Sequence, residues 1–321
     1  MAVYFLNLKT FGRSDGSSAP SAAAYRAGER IRDERTGKIY DHSYRQDVMH
    51  KEILLPSRFD QDALEWASDR SRLWNAAERA ETRSNSRVAR EYLVALPVEL
   101  SIDQRLTLVR GFSRELADRY QFAVDLTIHA PRDYPDSDPR NFHAHLLATT
   151  REVTVEGLAA KTELEQSDAN RLRRGLKPAI HELFHVKERW AAVTNEALRE
   201  AHIAAHVDHR SLAAQGIDRE PRPRIPRVAF EMERHGYRSV VAERIREDHA
   251  ARVESRLART PAIEKPSAGT ATLEDIRRQA REDWLRMRRE STAHGHGGSE
   301  RARADDRAQG EGVTRDDDFS R

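Results

Sequence analysis

Hydrophobic and polar positions alternate from the start of the chain. Tyr4, Leu6 and Leu8 fall on one side and Val3, Phe5 and Asn7 on the other, the period-two pattern of a strand. A loop rich in Gly, Ser and Asp follows over 12–18, and Pro20 can open a helix at its first turn. The composition predicts a helix over 21–32. A short apolar strand is predicted over 51–55, and a helix over 61–83 with Leu64, Trp66, Leu73, Trp74 and Ala77 as core positions. Another strand is expected over 91–96. Ser101 and Gln104 have the spacing of a capping box, opening a helix with Ile102, Leu106, Val109, Phe112 and Leu116 on one stripe.

The next two segments are the most informative. In 122–129, Phe122, Val124, Leu126 and Ile128 face one way, and Asp125, Thr127 and His129 the other. In 142–150, Phe142, Ala144, Leu146 and Ala148 share one face; His143, His145, Leu147 and Thr149 share the opposite one. Each strand therefore has an apolar face and a face that is polar where its histidines sit. The connection over 130–141 is rich in Pro and Asp and suits an antiparallel hairpin. Pairing of this kind brings His129, His143 and His145 together at one end of one sheet face. A further long helix is predicted over 178–202, with Ile180, Leu183, Phe184, Trp190, Val193 and Leu198 as its apolar positions; a Pro- and Arg-rich break follows over 221–226.

Composition changes the picture mainly at the C-terminus. From Val241 onward, seventeen Arg or Lys balance seventeen Asp or Glu, with few large apolar residues. The expected organisation is a domain over 1–240 and a charged tail over 241–321, partly a polar helix within 242–289 and disordered over 294–321. The whole 321-residue chain carries a net charge of +2, too balanced to indicate nucleic-acid binding by itself. The absence of cysteine excludes disulfides and thiolate metal sites. No apolar run approaches the roughly 18 residues of a membrane span, and the N-terminus lacks a signal-peptide core, so a cytoplasmic protein is expected.

An H-x-H pair is weak on its own: with 14 histidines, about 0.6 such pairs arise by chance, and His294 and His296 form another. The third histidine on a neighbouring strand with matching facing is what strengthens it. Three imidazoles leave coordination positions open, as in catalytic metal sites. Glu91, on a third strand, is placed to orient an imidazole or reach the metal. Arg79, Arg83, Arg87 and Arg90 flank the turn before that strand, and Arg13, Arg26 and Arg30 lie near the first helix, as candidate phosphate contacts. Tyr40, Tyr44 and Phe142 are candidate stacking residues for unpaired bases.

With these residues in view, the chain resembles the MobA/MobL family of plasmid relaxases, within the HUH endonucleases. The matching segments are FGRSDGSSAPSAAAYRAGE, DERTG, LWNAAERAETRSNSRVAREYLVALPVEL, DLTIHAP, NFHAHLLATTREV and VDHRSLAAQGIDR, covering about residues 1–240 in family order. The resemblance implies an α+β fold, a mainly antiparallel five-stranded sheet flanked by helices. It implies Tyr25 as the nucleophile, His129, His143 and His145 as metal ligands, and Glu91 as the acidic residue near the metal. The activity implied is nicking of one DNA strand at a plasmid origin of transfer through a 5′-phosphotyrosyl intermediate, with later re-joining. Partners implied are single-stranded origin DNA, relaxosome accessory proteins and a type IV coupling protein. Three imidazoles by general preference suggest Zn or another transition metal, whereas the resemblance implies Mg or Mn. Two departures stand out: Phe142 occupies a position where the family usually has Pro, and Arg224, Ile225 and Pro226 replace its His-Leu-Gly stretch. No helicase or primase segment follows, so a stand-alone relaxase is expected.

Rival readings come from different classes. His181-Glu182-Leu183-Phe184-His185 fits the H-E-x-x-H pattern of a zinc peptidase, although Glu188 stands where the extended pattern needs Gly. The segment also reads as an amphipathic helix with Leu183 and Phe184 on its buried stripe. A non-catalytic DNA-binding accessory protein and a rolling-circle replication initiator are the remaining alternatives.

Overall fold

The computed structural model describes residues 2–60, 62–131 and 138–259, together with 278, 281–282 and 285–286. The expected disordered segment over 294–321 lies outside them. The chain divides into two units, Met1–Asp218 and Arg219–Arg321.

The first unit begins with strand β1 (Leu6–Gly12) and helix α1 (Ala19–Ala27), then the small hairpin of β2 (Arg30–Arg32) and β3 (Ile39–Asp41). Strand β4 (Val48–Leu54), helices α2 (Glu65–Ser68) and α3 (Arg70–Ala80), strand β5 (Arg87–Ala95) and helix α4 (Ile102–Tyr120) follow. Strands β6 (Val124–His129) and β7 (His143–Ala148) lead to a second small hairpin, β8 (Arg151–Thr154) and β9 (Gly157–Lys161), and then to helices α5 (Asp168–Arg173) and α6 (Ala179–Glu200). In the second unit, α7 (Arg227–Arg234) and α8 (Val240–Arg259) are tied by the pair Arg246–Glu233. No helix among the described residues is long and apolar enough to cross a membrane.

The main sheet has the order β1-β5-β7-β6-β4, and every neighbouring pair is antiparallel. The α+β architecture with a five-stranded antiparallel sheet is thus the one expected. Strands β6 and β7 pair directly, setting His129 opposite His143 and Thr127 opposite His145. The capping box is also present: the Ser101 hydroxyl accepts from the Gln104 amide, and the Gln104 side chain accepts from the Ser101 amide.

Two sequence expectations are corrected. The helix predicted over 21–32 stops at Ala27. Ser18 caps its start by accepting from the Ser21 amide, and Gly28 ends it with φ of 60°, a left-handed conformation that favours glycine. The predicted helix over 61–83 is broken at Asp69, whose carboxylate accepts from the Arg72 amide and starts α3 instead of continuing α2. The sheet face carrying the histidines is polar where they sit and apolar beyond them, as its Leu147 indicates. Leu147 and Ala89 pack there with Phe11, the alanines of α1, and Leu73 and Trp74 of α3. The opposite face packs Tyr92, Val94, Leu126 and Leu146 against Val109 and Phe112 of α4 and Trp190 of α6. With helices on both faces, all six residues of β6 are buried, including Asp125, Thr127 and His129.

Candidate metal and nucleophile site

The three histidines converge as their register requires. Their ligand nitrogens lie within 4.8 Å of one another, with ring centroids 4.8–5.3 Å apart. Each ring has one nitrogen held by a protein oxygen. His143 Nδ1 lies 2.9 Å from the Asn141 carbonyl oxygen, His145 Nδ1 lies 2.6 Å from Glu91 Oε1, and His129 Nε2 lies 2.8 Å from the Arg26 carbonyl oxygen. Carbonyls and carboxylates only accept, so these ring nitrogens donate, and the other nitrogen of each ring keeps its lone pair.

The electrostatics keep His129 and His145 neutral and the neighbouring carboxylate charged. Burial and the neighbouring His145 hold His129 down at about 3. Burial lowers His145 as well, against the raising effect of its bond to Glu91. Burial by itself would raise the Glu91 carboxyl, but the bonds from His145 and Arg26 together hold it at about 2. Arg26 is buried beside it, donating from Nε to Glu91 and from Nη1 to the Ala22 carbonyl at 2.8 Å, with its guanidinium 4.7 Å from the Phe11 ring centre.

Tyr25 stands at the His129 flank, because the residue after it supplies the carbonyl that His129 holds. Arg45, which nothing in its local pattern singles out, ties the two together. Its Nη1 donates to the Tyr25 carbonyl at 2.5 Å, its Nη2 lies 3.3 Å from His129 Nδ1, and its guanidinium stacks 4.4 Å from the Tyr25 ring centre. Asp47 fixes Arg45 through both carboxylate oxygens. His42 meets the Tyr25 ring edge-on at 5.2 Å. Gly28 makes this junction possible: a Cβ there would sit 3.1 Å from Val48 Cγ2 and 3.4 Å from Arg45 Cβ. Gly28→Ala is expected to destabilise the protein by about 1–2 kcal/mol from the left-handed backbone alone, measured by urea denaturation. An unchanged midpoint would contradict the strain.

The arginines separate by position. Arg26 and Arg90 are buried, Arg90 against Glu165; Arg13 is tied to Glu78 and to the Glu81 carbonyl. Arg30, Arg83 and Arg87 are exposed. Arg87 begins β5, opposite Gly12, while the histidines sit by the other end of that strand, where Ala95 faces His143. Tyr44 is exposed, and Tyr40 packs beside the α1–α3 cluster. The H-E-x-x-H residues do not form a metal cluster: Glu182 accepts from Arg119 at 2.8 Å and from Tyr120 at 3.0 Å, while His181 and His185 are exposed. Phe184, expected on the buried stripe, is 58% exposed, and Ile180 is exposed too, because α6 buries the face carrying Val186, Trp190 and Leu198.

Residues 17–235 match the model of the MobA/MobL family. The chain belongs to that family. Among MobA/MobL relatives, the Mobilization protein MobL of Acidithiobacillus ferridurans is 35% identical over 291 residues, covering 84% of this chain and 74% of that protein. The 43 kDa relaxation protein of Salmonella typhimurium is 35% identical over 68% of this chain and 57% of its own length. A solved structure described as the molecular basis of vancomycin resistance transfer in Staphylococcus aureus matches with a TM-score of 0.54 and 28% identity, covering 65% of this chain and all of that one. The chain thus spans about three quarters of the first relative but little over half of the second.

Proposed function

We propose that this MobA/MobL protein is a relaxase that nicks one strand of plasmid DNA at an origin of transfer, with Tyr25 as nucleophile. The observation that carries the reading is the junction of Tyr25 with a three-histidine cluster through Arg45 and the Arg26 carbonyl. Its context is a family whose members carry the names mobilization and relaxation protein.

The donor set fits a divalent ion: each of three imidazoles has one nitrogen engaged by a protein oxygen, as around bound metals, and its other nitrogen is the candidate ligand, that of His129 lying 3.3 Å from Arg45 Nη2, which the ion would displace. His129, His143 and His145 would hold the ion, with Mg or Mn as the proposed metal and Zn as the alternative. Bound there, it supplies charge stabilisation and orientation for a phosphodiester. The chain's own residues do the rest. Tyr25 forms a bond from its phenolic oxygen to phosphorus and releases its proton to solvent. The bond from phosphorus to the 3′ oxygen breaks, and that oxygen takes up a proton. The 5′ phosphate stays on Tyr25, so the reverse attack by a 3′ hydroxyl re-joins the strand. Arg45 orients the tyrosine and adds positive charge beside the phosphate. Arg30, Arg83 and Arg87 are the proposed contacts to the DNA backbone, and relaxosome proteins and a coupling protein the proposed partners.

The test is a single-stranded oligonucleotide carrying the nick region of the plasmid's own transfer origin, incubated with the protein and Mg or Mn. A covalent protein–DNA adduct on a denaturing gel is expected, lost on chelation and retained in Glu182→Gln. Binding without any adduct would favour an accessory protein instead.

Glu91→Gln is expected to weaken Mn binding about 10–100-fold, as measured by calorimetric titration without DNA. The amide removes the charge that holds the His145 donor and leaves Arg26 without its ion pair. Wild-type affinity in this variant would show that Glu91 has no part in the site.

A further inference from the structure

We propose that an apolar cavity beside His143 receives the unpaired base of the nucleotide immediately 5′ of the nick, the one left with the free 3′ hydroxyl. The inference rests on the nicking reaction above and adds to it the direction in which the DNA crosses the site.

The sheet lays residues of one face in a row across its strands. Phe5 joins Ala95 through the Ala95 amide, Ala95 faces His143, His143 faces His129, and His129 faces Val48. Directly opposed residues in antiparallel strands point to the same side, so Phe5, Ala95, His143, His129 and Val48 share the face that carries the site. Tyr25 belongs to the Val48 end of this row. Gly28, which closes its helix, abuts Val48, and both Arg45 and the Arg26 carbonyl reach His129.

At the other end the row runs into a cavity of about 430 Å³, lined mostly by apolar residues such as Val3, Phe5, Ala95 and Val98, with His143, Glu99 and Arg140 among its polar ones. That volume lies in the range of small-molecule pockets, roughly 300–1,000 Å³. Val3, Phe5 and Val98 remain exposed there, although they adjoin a site built of buried polar groups. Phe142 lies on the opposite sheet face, toward α4, where the Arg105 guanidinium is 4.0 Å from its ring centre. Phe5, at the edge of the polar site, offers a ring face on which an unpaired base stacks.

The chemistry sets which base enters. In an in-line displacement the attacking and leaving oxygens lie on opposite sides of phosphorus. With the phosphate at the histidines and Tyr25 arriving from the Val48 side, the departing 3′ oxygen points toward His143 and Phe5. Phe5 stands two strands from His143, about 10 Å at the usual strand spacing, so the sugar bearing that oxygen delivers its base to the cavity. The nucleotide that becomes attached to Tyr25 stays on phosphorus through its equatorial 5′ oxygen and departs across that axis, away from the cavity. A base held in the cavity keeps the 3′ hydroxyl near the phosphotyrosine, as re-joining requires.

Two measurements decide this. In the first, 2-aminopurine replaces the base 5′ or 3′ of the nick in the origin oligonucleotide, and the full chain carrying Tyr25→Phe is titrated in, so that the bond stays intact. Quenching is expected for the 5′ reporter, reduced in Phe5→Ala. A reporter quenched only on the 3′ side overturns the proposal. In the second, an abasic residue replaces the 5′ nucleotide. Its kcat/KM for nicking by the wild-type protein is expected to fall about 5- to 150-fold, the equivalent of one aromatic stacking contact, with a penalty below about 2-fold in Phe5→Ala. Equal cleavage of natural and abasic strands by the wild-type protein overturns it. Absence of adduct on the natural strand sinks the nicking reaction, whereas the quenching measurement still reports whether the cavity holds the base.

Discussion

Tyr25→Phe is expected to lower covalent adduct formation on origin DNA by on the order of 10³-fold or more, since it removes the attacking oxygen. The ring contacts of Tyr25 do not need that oxygen: Arg45 stacks on the ring face and His42 meets it edge-on. Stability should therefore change little and the affinity for uncleaved DNA should hold. The measurement pairs a denaturing gel for the adduct with fluorescence anisotropy for binding. A variant that forms adduct at a rate near that of the wild type would mean that another side chain attacks. A variant that neither binds nor cleaves would mean that the hydroxyl is part of the binding surface instead.

Asp125→Ala should cost about 3–5 kcal/mol of stability, the usual consequence of stranding one partner of a buried ion pair. Asp125 lies on the histidine face of β6 and is 2% exposed. Its carboxylate accepts from Arg70 Nε at 2.8 Å and Nη2 at 2.9 Å, and from the Trp74 indole at 2.9 Å. Removing it leaves the largely buried Arg70 guanidinium with only Glu29 at 2.6 Å and deprives Trp74 of its acceptor. These contacts fasten helix α3 to the sheet alongside the apolar packing of Leu73 and Trp74. Urea denaturation followed by fluorescence measures the loss. Asp125→Asn, which keeps an acceptor for one donor, should lose less. A cost below about 1 kcal/mol for the alanine variant would show that Arg70 is hydrated once released.

The parts of the site that depend on local periodicity were legible before any tertiary structure. Strand side chains alternate strictly, so the spacing of His143 and His145 puts both on one face, and the turn-rich connection after His129 brings that residue opposite them. Glu91 was legible only as a carboxylate on a third strand and through the family resemblance; the pairing that sets it opposite Leu147, two residues from His145, is what turns it toward the site. Capping at Ser101 is likewise a local hydrogen-bond pattern. The helix ending at Gly28 and the break at Asp69 were missed because glycine and aspartate also occur inside loosely helical stretches. What decides there is the approach of Val48 at one site and the competition of a side-chain acceptor at the other.

The arginines show the limit most clearly. Arg13, Arg26 and Arg90 have the same local character as Arg30, Arg83 and Arg87, yet the first three are spent on Glu78, Glu91 and Glu165 inside the fold. Each of these three meets a carboxylate far away in the chain, and no window of sequence contains both partners. By itself, the sequence determined the strands, their facing and the convergence of three histidines, because those follow from bond geometry repeated residue by residue. The tertiary structure decided which charges are buried, how Arg45 joins Tyr25 to His129, and that an apolar cavity opens beside His143, because each needs segments far apart in the chain to pack against one another.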